Sequence, residues 1–210
     1  MSRILYLHGF ASGPSSKKGR YFRERFAGEG VDLELPDLAE DGFERLSISG
    51  QLRVIERVAH GDPVSLIGSS LGAYLAALYA ARHREVERVV LMAPAFEFAR
   101  RWRERLGEEA MRDWGRSGFL PVFHYGAQRE DRVSYALYQD GLAYEGFPRV
   151  SPPVLLFQGL SDDFVPPESS REFVRRNPHA VLRELDSDHE LMNSLDLIWA
   201  EVRLAIHSRV

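Results

Sequence analysis

The sequence predicts an α/β fold, a three-layer sandwich in which a mostly parallel sheet of about six strands lies between helices. Two observations lead to this class. Strand-like and helix-like segments alternate along most of the 210 residues, which is typical of a parallel sheet covered on both faces. Most connections are short, and the chain has the length of one α/β domain. We therefore expect a single domain over residues 1–210.

Each expected element follows from the local pattern of apolar residues. The strands are short, mainly aliphatic runs near 3–7, 31–35, 63–67, 87–92, 153–158 and 180–185. The helices lie between them, near 17–29, 43–59, 71–83, 167–176 and 190–207. Right-handed crossovers would bring the loops after the strands to one edge of the sheet, where ligands of open α/β folds bind.

A serine motif separates the third expected strand from the third expected helix. The pentapeptide Gly-Ser-Ser-Leu-Gly at 68–72 follows the apolar run 63–67 and precedes the alanine-rich stretch 73–81. On such a strand-to-helix turn, the Ser70 hydroxyl would be exposed at the carboxyl end of the sheet. Ser70 is therefore the candidate nucleophile.

The neighbours of Ser70 fit the same interpretation. Gly68 and Gly72 carry no side chain at the two points where the strand and the helix approach each other, so we assign them a structural role at the turn. The amide of Leu71, at a helix N-terminus, points towards developing negative charge. The alternative is a glycine-rich connection between two core elements, and under it nothing elsewhere in the chain should complete a catalytic triad.

The base and the acid that a serine nucleophile needs both follow it in the chain. Two carboxylates, Asp162 and Asp163, lie on the loop after the strand near 153–158, and His189 lies on the loop after the strand near 180–185. The order serine, aspartate, histidine, each at the carboxyl end of its own strand, is the order found in α/β-hydrolases.

The other histidines are weaker candidates for the base. His179 precedes its strand and so lies at the wrong end of the sheet, and His207 lies near the end of the last helix, where a solvated role is expected. The others precede the acid: His8, His60, His83 and His124. We expect His8 to be a hydrogen-bonded structural group, and only His124 of the remaining three to reach substrate.

The opening segment extends the resemblance to a narrower group. Residues 5–17 read Leu-Tyr-Leu-His-Gly-Phe-Ala-Ser-Gly-Pro-Ser-Ser-Lys. With the serine, aspartate and histidine motifs, this segment resembles the small bacterial YqiA-like esterases of the α/β-hydrolase superfamily. The resemblance covers Arg3 to about Ala95 and Ser151 to the C-terminus, and it is weak between them.

The resemblance implies roles for further residues. The amide of Phe10 would be the second donor of the oxyanion hole, beside that of Leu71. The acid would be Asp162, and Asp163 would be a solvated loop residue or a helix cap. Gln158 stands where relatives commonly carry histidine, at a position that is ordinarily structural.

Residues 96–150 interrupt the alternation of strands and helices, and we expect a small helical cap over Ser70. The segment is rich in aromatic residues: Phe96, Phe98, Trp102, Trp114, Phe119, Phe123, Tyr125, Tyr135, Tyr138, Tyr144 and Phe147. These rings could line a hydrophobic pocket for an acyl or alcohol group, or they could pack on each other as a satellite core. Both interpretations remain open from the sequence.

Composition narrows the function classes. The net charge of −4 is spread among interleaved acidic and basic residues, which disfavours a nucleic-acid partner. The chain has no cysteine, which excludes disulfides and a cysteine nucleophile. No signal peptide and no apolar run of membrane-spanning length is visible, so we expect a cytoplasmic protein without a membrane partner. The oligomeric state is left open.

Together these features predict a serine hydrolase that cleaves carboxylic esters of short to medium acyl chain and needs no metal or organic cofactor. Its partner would be a small-molecule ester. The preference for esters is implied by the resemblance, because the same triad can also cleave amides. One alternative is a thioesterase or acyltransferase with the same triad. Another is a hydrolase-like binding protein without turnover.

Overall fold

The main sheet of the protein has five parallel strands. The computed structural model describes residues 3–207. The strands are β1 (Arg3–Leu7), β2 (Val64–Ser69), β3 (Val86–Met92), β6 (Val154–Gly159) and β7 (Val181–Leu185), in the order β1-β2-β3-β6-β7. The α/β class predicted from the sequence is confirmed, with five strands in place of about six.

Helices cover both faces of this sheet. They are α1 (Lys17–Gly28), α2 (Ile48–Ala59), α3 (Leu71–Ala80), α6 (Pro167–Arg176) and α7 (Leu195–His207). The apolar residues form two buried clusters, one containing Leu66, Leu78 and Phe173, the other containing Tyr6, Phe22 and Trp199. Within the described part of the chain, no helix is both long enough and apolar enough to cross a membrane.

The strand expected near 31–35 is the one that does not form. This segment makes only an isolated parallel bridge between Leu5 and Glu34. Two backbone hydrogen bonds hold it, from the Tyr6 amide to the Glu34 carbonyl (2.8 Å) and from the Glu34 amide to the Ile4 carbonyl (3.0 Å). Pro36 follows at once and has no amide hydrogen to donate, so the ladder stops there.

Two expected helices begin later than the sequence pattern indicates. Helix α2 starts after Ser47, whose hydroxyl accepts a hydrogen bond from the Gly50 amide at 2.9 Å, and a separate 3₁₀ turn covers Phe43–Arg45. Helix α7 is likewise preceded by a 3₁₀ turn at Met192–Ser194. The N-cap residue Ser47 is the sequence signal that separates the 3₁₀ turn from helix α2 within the single helix expected near 43–59.

The cap between β3 and β6 is not purely helical, which corrects the expectation from sequence. It contains helix α4 (Phe98–Ser117), the antiparallel hairpin β4 (Phe119–His124) and β5 (Arg129–Ser134), and helix α5 (Ala136–Gly141). The hairpin forms because apolar side chains on its inner face, such as the fully buried Val133, pack against the core of the cap. Helix α4 is interrupted at Gly107, where φ is 78°.

Most cap aromatics pack on each other. Trp114 is buried, its ring lies 5.0 Å from that of Trp102 and 5.3 Å from that of Tyr135, and its indole nitrogen donates to the Val133 carbonyl. These contacts favour the satellite core over a pocket for the central rings. At the hairpin end, Phe123 and Tyr125 are exposed.

Helix α3 packs so closely on the strand ends that two positions admit only glycine. A Cβ atom at Gly68 would lie 2.5 Å from the Ala73 Cα, and one at Gly72 would lie 2.1 Å from the Leu7 carbonyl oxygen. Both obstacles are backbone atoms, which cannot move aside as a flexible side chain can. The absence of two side chains therefore fixes the distance between the helix that follows Ser70 and strands β1 and β2.

We expect Gly72→Ala to destabilise the protein by about 3 kcal/mol or more, because overpacking against backbone forces the helix off the sheet. The matched control is Gly28→Ala at the end of α1, where a Cβ would meet no atom within 4 Å. That change should be neutral or stabilise by up to about 1 kcal/mol. Urea unfolding of the two variants measures both effects, and equal midpoints would contradict the packing argument.

Candidate active site

Ser70 lies on a strained turn between β2 and α3. Its φ of 55° and ψ of −117° are unusual for a residue with a side chain. The Ser70 amide donates to the Met92 carbonyl at 2.9 Å, and its carbonyl accepts from the Ala95 amide at 3.1 Å. Because β3 and the chain that follows it hold this turn on both sides, the hydroxyl is presented at the carboxyl end of the sheet.

The structure brings Ser70, His189 and Asp162 together in one chain of hydrogen bonds. The Nε2 atom of His189 lies 3.0 Å from the Ser70 Oγ, and its Nδ1 lies 2.8 Å from Oδ2 of Asp162. An acceptor carboxylate at Nδ1 fixes the tautomer that leaves Nε2 free to accept a proton from the serine. The imidazole is therefore oriented as a base towards Ser70.

The Asp162 carboxylate is fully buried and heavily hydrogen-bonded. Its Oδ1 accepts from the amides of Phe164 (2.9 Å) and Val165 (2.8 Å). Burial alone would raise the pKa of Asp162, but the hydrogen bond from His189 and these two amides outweigh it and hold that pKa below its ordinary value. The carboxylate is therefore charged over the whole physiological range.

Gln158 is a part of this network that the sequence analysis did not connect to the acid. Its side chain is fully buried, and its amide nitrogen donates to Oδ2 of Asp162 at 3.0 Å and to the Val165 carbonyl at 3.1 Å. Its oxygen accepts from the Ser170 hydroxyl at 2.7 Å. Gln158 thus fixes the carboxylate against helix α6. Its place at the end of a buried strand, four residues before Asp162, is the signal that could have indicated this contact.

Gly159 lets the end of β6 lie against the loop that carries His189, because it has no side chain. A Cβ at this position would lie 2.3 Å from the Asp188 carbonyl oxygen and 2.5 Å from that of Ser187. The end of β6 can therefore touch the backbone of the segment that carries His189. This close approach is visible only once the two loops are placed side by side.

The competing residues lie elsewhere. Asp163 is exposed and makes no contact with the imidazole of His189. His179 lies at the other end of the sheet, with its Nε2 3.1 Å from the Pro152 carbonyl oxygen. His8 is buried, donates from Nδ1 to the Gly9 carbonyl and accepts at Nε2 from the Leu38 amide. Burial lowers the pKa of His8, so it is a neutral structural group.

The two amides expected to form the oxyanion hole flank the serine. The Leu71 amide is the first of helix α3, and the segment before Phe10 touches the turn, since a Cβ at Gly9 would lie 3.3 Å from the Ser70 Cβ. Within residues 3–207, neither the Phe10 nor the Leu71 amide donates to another protein group. Both donors are therefore available to a ligand oxygen at Ser70.

The cap holds the loop that carries Phe10. The Gly126 amide, in the hairpin turn, donates to the Ala11 carbonyl at 3.1 Å. The His124 ring stacks on Phe43 at 4.3 Å, and the Phe43 ring lies 5.5 Å from that of Phe10. His124, the remaining histidine expected to reach substrate, also contacts this loop directly, with its Nε2 3.4 Å from the Ser12 carbonyl oxygen, and its Nδ1 lies 3.9 Å from the Asp131 carboxylate.

Lys18 is a second residue that the sequence analysis passed over. Its ammonium donates to the Glu190 carbonyl at 2.8 Å, directly after His189. Burial lowers the pKa of Lys18, while the charges of Glu190, Asp188 and Asp162 act in the opposite direction. The first helix is therefore tied to the histidine loop by a cation. Among the residues that the structure describes, no three His, Cys, Asp or Glu side chains could together hold a metal ion.

Comparison with known proteins identifies the family and the fold of the chain. The profile of the Uncharacterised protein family UPF0227 matches residues 3–205, which is nearly the whole chain. The chain belongs to the UPF0227 family. The match includes the segments that carry the candidate nucleophile, acid and base, and also the cap for which the sequence showed little resemblance.

Solved structures similar to this UPF0227 chain are α/β-hydrolases. A predicted hydrolase from Agrobacterium vitis S4 is 25% identical, with 98% of this chain and 88% of that chain covered and a TM-score of 0.81. Mouse alpha/beta hydrolase domain-containing protein 10 is 19% identical, with 97% and 88% covered and a TM-score of 0.81.

A third similar structure, a monoacylglycerol lipase from Paleococcus ferrophilus, is 20% identical, with 98% of this chain and 94% of that chain covered and a TM-score of 0.71. The resemblance to α/β-hydrolases of the YqiA-like type, stated from the sequence, is confirmed. At identities below 25%, the mouse and Paleococcus structures show the shared fold alone.

The lowered pKa of Asp162 predicts a pH-dependent stability for this UPF0227 protein. In the unfolded chain the carboxyl titrates near 3.9, so its stabilising hydrogen bonds count fully above that pH and are lost as the pH falls through the lower folded pKa. Asp162→Asn should cost about 2 kcal/mol at neutral pH. This difference in unfolding free energy between wild type and variant should narrow as the pH falls below about 4, the unfolded pKa.

The measurement is urea unfolding of the wild type and of Asp162→Asn from neutral pH to below about pH 4. The control is Asp163→Asn, which alters an exposed carboxylate outside the hydrogen-bond network. A difference for Asp162→Asn that stays constant with pH would show that the folded protein does not hold this carboxylate in its charged form.

Proposed function

We propose that this protein is a serine hydrolase that cleaves carboxylic esters of short to medium acyl chain through an acyl-enzyme on Ser70. The observation that carries the proposal is the hydrogen-bonded series from Ser70 through His189 to the buried Asp162, with distances of 3.0 Å and 2.8 Å. A serine on a strained turn, a base aimed at it and a charged acid behind the base are the parts that acyl transfer requires.

In the first half of the proposed reaction, Nε2 of His189 takes the Ser70 proton as the oxygen attacks the ester carbonyl. The buried Asp162 carboxylate stabilises the imidazolium that forms. The carbonyl oxygen becomes an oxyanion, which accepts hydrogen bonds from the Phe10 and Leu71 amides. When the tetrahedral intermediate collapses, the bond to the alcohol oxygen breaks and His189 returns the proton to that leaving group.

In the second half, water replaces the alcohol. His189 takes a proton from the water, the resulting hydroxide attacks the acyl carbonyl on Ser70, and the same two amides stabilise the second oxyanion. Collapse releases the carboxylic acid and restores the Ser70 hydroxyl with the proton held by His189. No step needs a group from outside the chain other than the ester and water.

The comparisons support the coarser part of this proposal. The Agrobacterium vitis protein, at 25% identity, is described as a predicted hydrolase. Est1E from Butyrivibrio proteoclasticus, crystallised with ferulic acid, is 18% identical, with 97% of this chain and 87% of that chain covered and a TM-score of 0.77. Hydrolysis is thus the reaction class that the relatives favour. The preference for esters comes from the resemblance to YqiA-like esterases.

The packing of the cap supports the limit on acyl length. Near the serine, Phe10 packs edge-on against Trp102 at 5.0 Å, so the space between the loop and the cap is filled by rings. A long fatty acyl chain would have to displace this packing, whereas a short one would not.

We expect the protein to hydrolyse p-nitrophenyl esters, with the acetate and butyrate faster than the palmitate. Ser70→Ala should lower kcat by at least about 10⁴-fold, because within residues 3–207 no other hydroxyl is placed against His189. Release of p-nitrophenol measures the rate. Ser15→Ala is the matched control, since Ser15 is exposed and should leave the rate within about twofold of the wild type.

Two results would overturn the proposed function. One is Ser70→Ala with the activity of the wild type and an unchanged unfolding transition. The other is a folded wild type that neither cleaves any ester of the series nor becomes labelled at Ser70 by an organophosphate. The second result would favour a hydrolase-like binding protein.

Asp162→Asn and Asp163→Asn separate the two candidates for the acid. Asp162→Asn should lower kcat by about 10³- to 10⁴-fold, because the amide cannot hold the imidazole in the tautomer that accepts the serine proton. Asp163→Asn should retain most of the activity, since Asp163 is exposed outside the network. The measurement is kcat for p-nitrophenyl butyrate, and the reverse pattern would transfer the role to Asp163.

A further inference from the structure

The first half of helix α4 carries four arginines, and they divide into two kinds. Arg100 forms ion pairs with Glu97 and with Glu104, and Arg103 pairs with Glu108 at 2.9 Å. The other two, Arg101 and Arg105, form no ion pair with any residue that the structure describes. Since they are four residues apart, they lie on the same face of the helix.

Arg101 is half-buried. Its Nε donates to the Phe96 carbonyl at 3.1 Å and its Nη2 donates to the Ser169 hydroxyl, while Nη1 has no acceptor within residues 3–207. Burial lowers the pKa of Arg101, which shows that its charge is poorly solvated. The carboxylates that act on it are engaged by other groups: Glu97 and Glu104 by Arg100, and Asp162 by His189.

Arg105 lies at the rim of the candidate active site. Its guanidinium carbon is 4.1 Å from the centre of the Phe164 ring, and the Phe164 ring is 5.2 Å from the His189 ring. Phe164 is 57% exposed, so the stacked Phe164 ring and Arg105 guanidinium lie at the solvent-exposed entrance of the site. Only the face of the guanidinium is engaged, and its N–H groups are left for an acceptor.

Arg105 therefore lies beside His189 across the Phe164 ring, and Arg101 is close enough to Asp162 for their charges to interact. The Arg101 guanidinium is held partly out of water without an ion pair of its own, and an anion that binds there adds charge compensation. The planar fork of N–H groups is suited to carboxylate and phosphate oxygens. The position of Arg105, one ring from the imidazole, would place such an anion on a molecule whose ester is at Ser70.

We propose that Arg101 and Arg105 form an anion subsite, so that the preferred substrates are esters carrying a carboxylate or phosphate a few atoms from the scissile carbonyl. The subsite rests on the proposed esterase function, since it assigns the charge of the substrate for the same site. It places specificity in the cap and leaves the chemistry to the residues of the sheet.

The test compares a charged ester with a neutral one of similar length. The probes are p-nitrophenyl hydrogen glutarate, whose acyl chain ends in a carboxylate, and p-nitrophenyl pentanoate. Each rate is divided by the rate of the ester with hydroxide, which removes the difference in intrinsic reactivity. The wild type should prefer the charged ester in kcat/KM, and Arg101→Gln and Arg105→Gln should each reduce this preference by roughly tenfold.

Control variants separate charge from structure. Arg103→Gln removes an exposed, ion-paired arginine of the same helix, and it should leave the preference and the activity unchanged. Arg105→Lys keeps the positive charge and should retain more of the preference than Arg105→Gln. Raising the salt from about 0.02 M to about 0.5 M should weaken the preference in the wild type but not in the double Arg101→Gln, Arg105→Gln variant.

A binding experiment keeps this inference separate from the proposed function. In the Ser70→Ala background, calorimetry with monomethyl glutarate and dimethyl glutarate measures recognition without turnover. We expect the monoanion to bind more tightly and the difference to vanish on adding Arg101→Gln and Arg105→Gln. Equal binding of both esters, or a preference unaffected by the two arginines, overturns the subsite even if the protein is an esterase. Anion binding without turnover would uphold it while the esterase proposal fails.

Discussion

The close backbone contact between helix α3 and the ends of the first two strands is the constraint on which the rest of the site depends. Gly68 at the end of β2 meets the Ala73 backbone of the helix, and Gly72 of the helix meets the Leu7 backbone of β1, at distances that no side chain would permit. That contact forces the turn at Ser70 into its unusual conformation and points the helix N-terminus at the space above it. The positions of the Ser70 hydroxyl and of the Leu71 amide are thus consequences of one packing requirement.

The other half of the site depends on hydrogen bonds to a buried charge. Asp162 is held by two backbone amides, by Gln158 and by His189, so every part of the carboxylate has a partner although it has left water. A less complete set of donors would let burial neutralise the acid. The tie from Lys18 to the carbonyl after His189 extends this order to the first helix. The His189 imidazole is therefore positioned mainly by these hydrogen bonds and less by apolar packing.

Much of the fold and of the candidate site could be predicted because both depend on short-range patterns. The serine motif, the Asp162 loop and the His189 loop each follow a strand, and parallel strands must bring such loops to one edge. The contacts of Gln158 and Lys18 could not be predicted, since each joins segments brought together only by folding. The hairpin in the cap was missed because aromatic residues fit both helices and strands.

The segment near 31–35 was expected to form a full strand because of its apolar residues. Those residues alone do not show that the ladder of hydrogen bonds ends at Pro36.

The incomplete sixth strand, near 31–35, also affects how exposed the β1 edge of the sheet is. Strand β1 is the edge of the parallel sheet, and a bare edge offers a row of amides and carbonyls to any other extended chain. Glu34 occupies two of those groups, and Pro36 then turns the covering segment away with no donor of its own. A few residues, in place of a full strand, thereby cover part of the β1 edge, while β7 forms the other edge of the sheet.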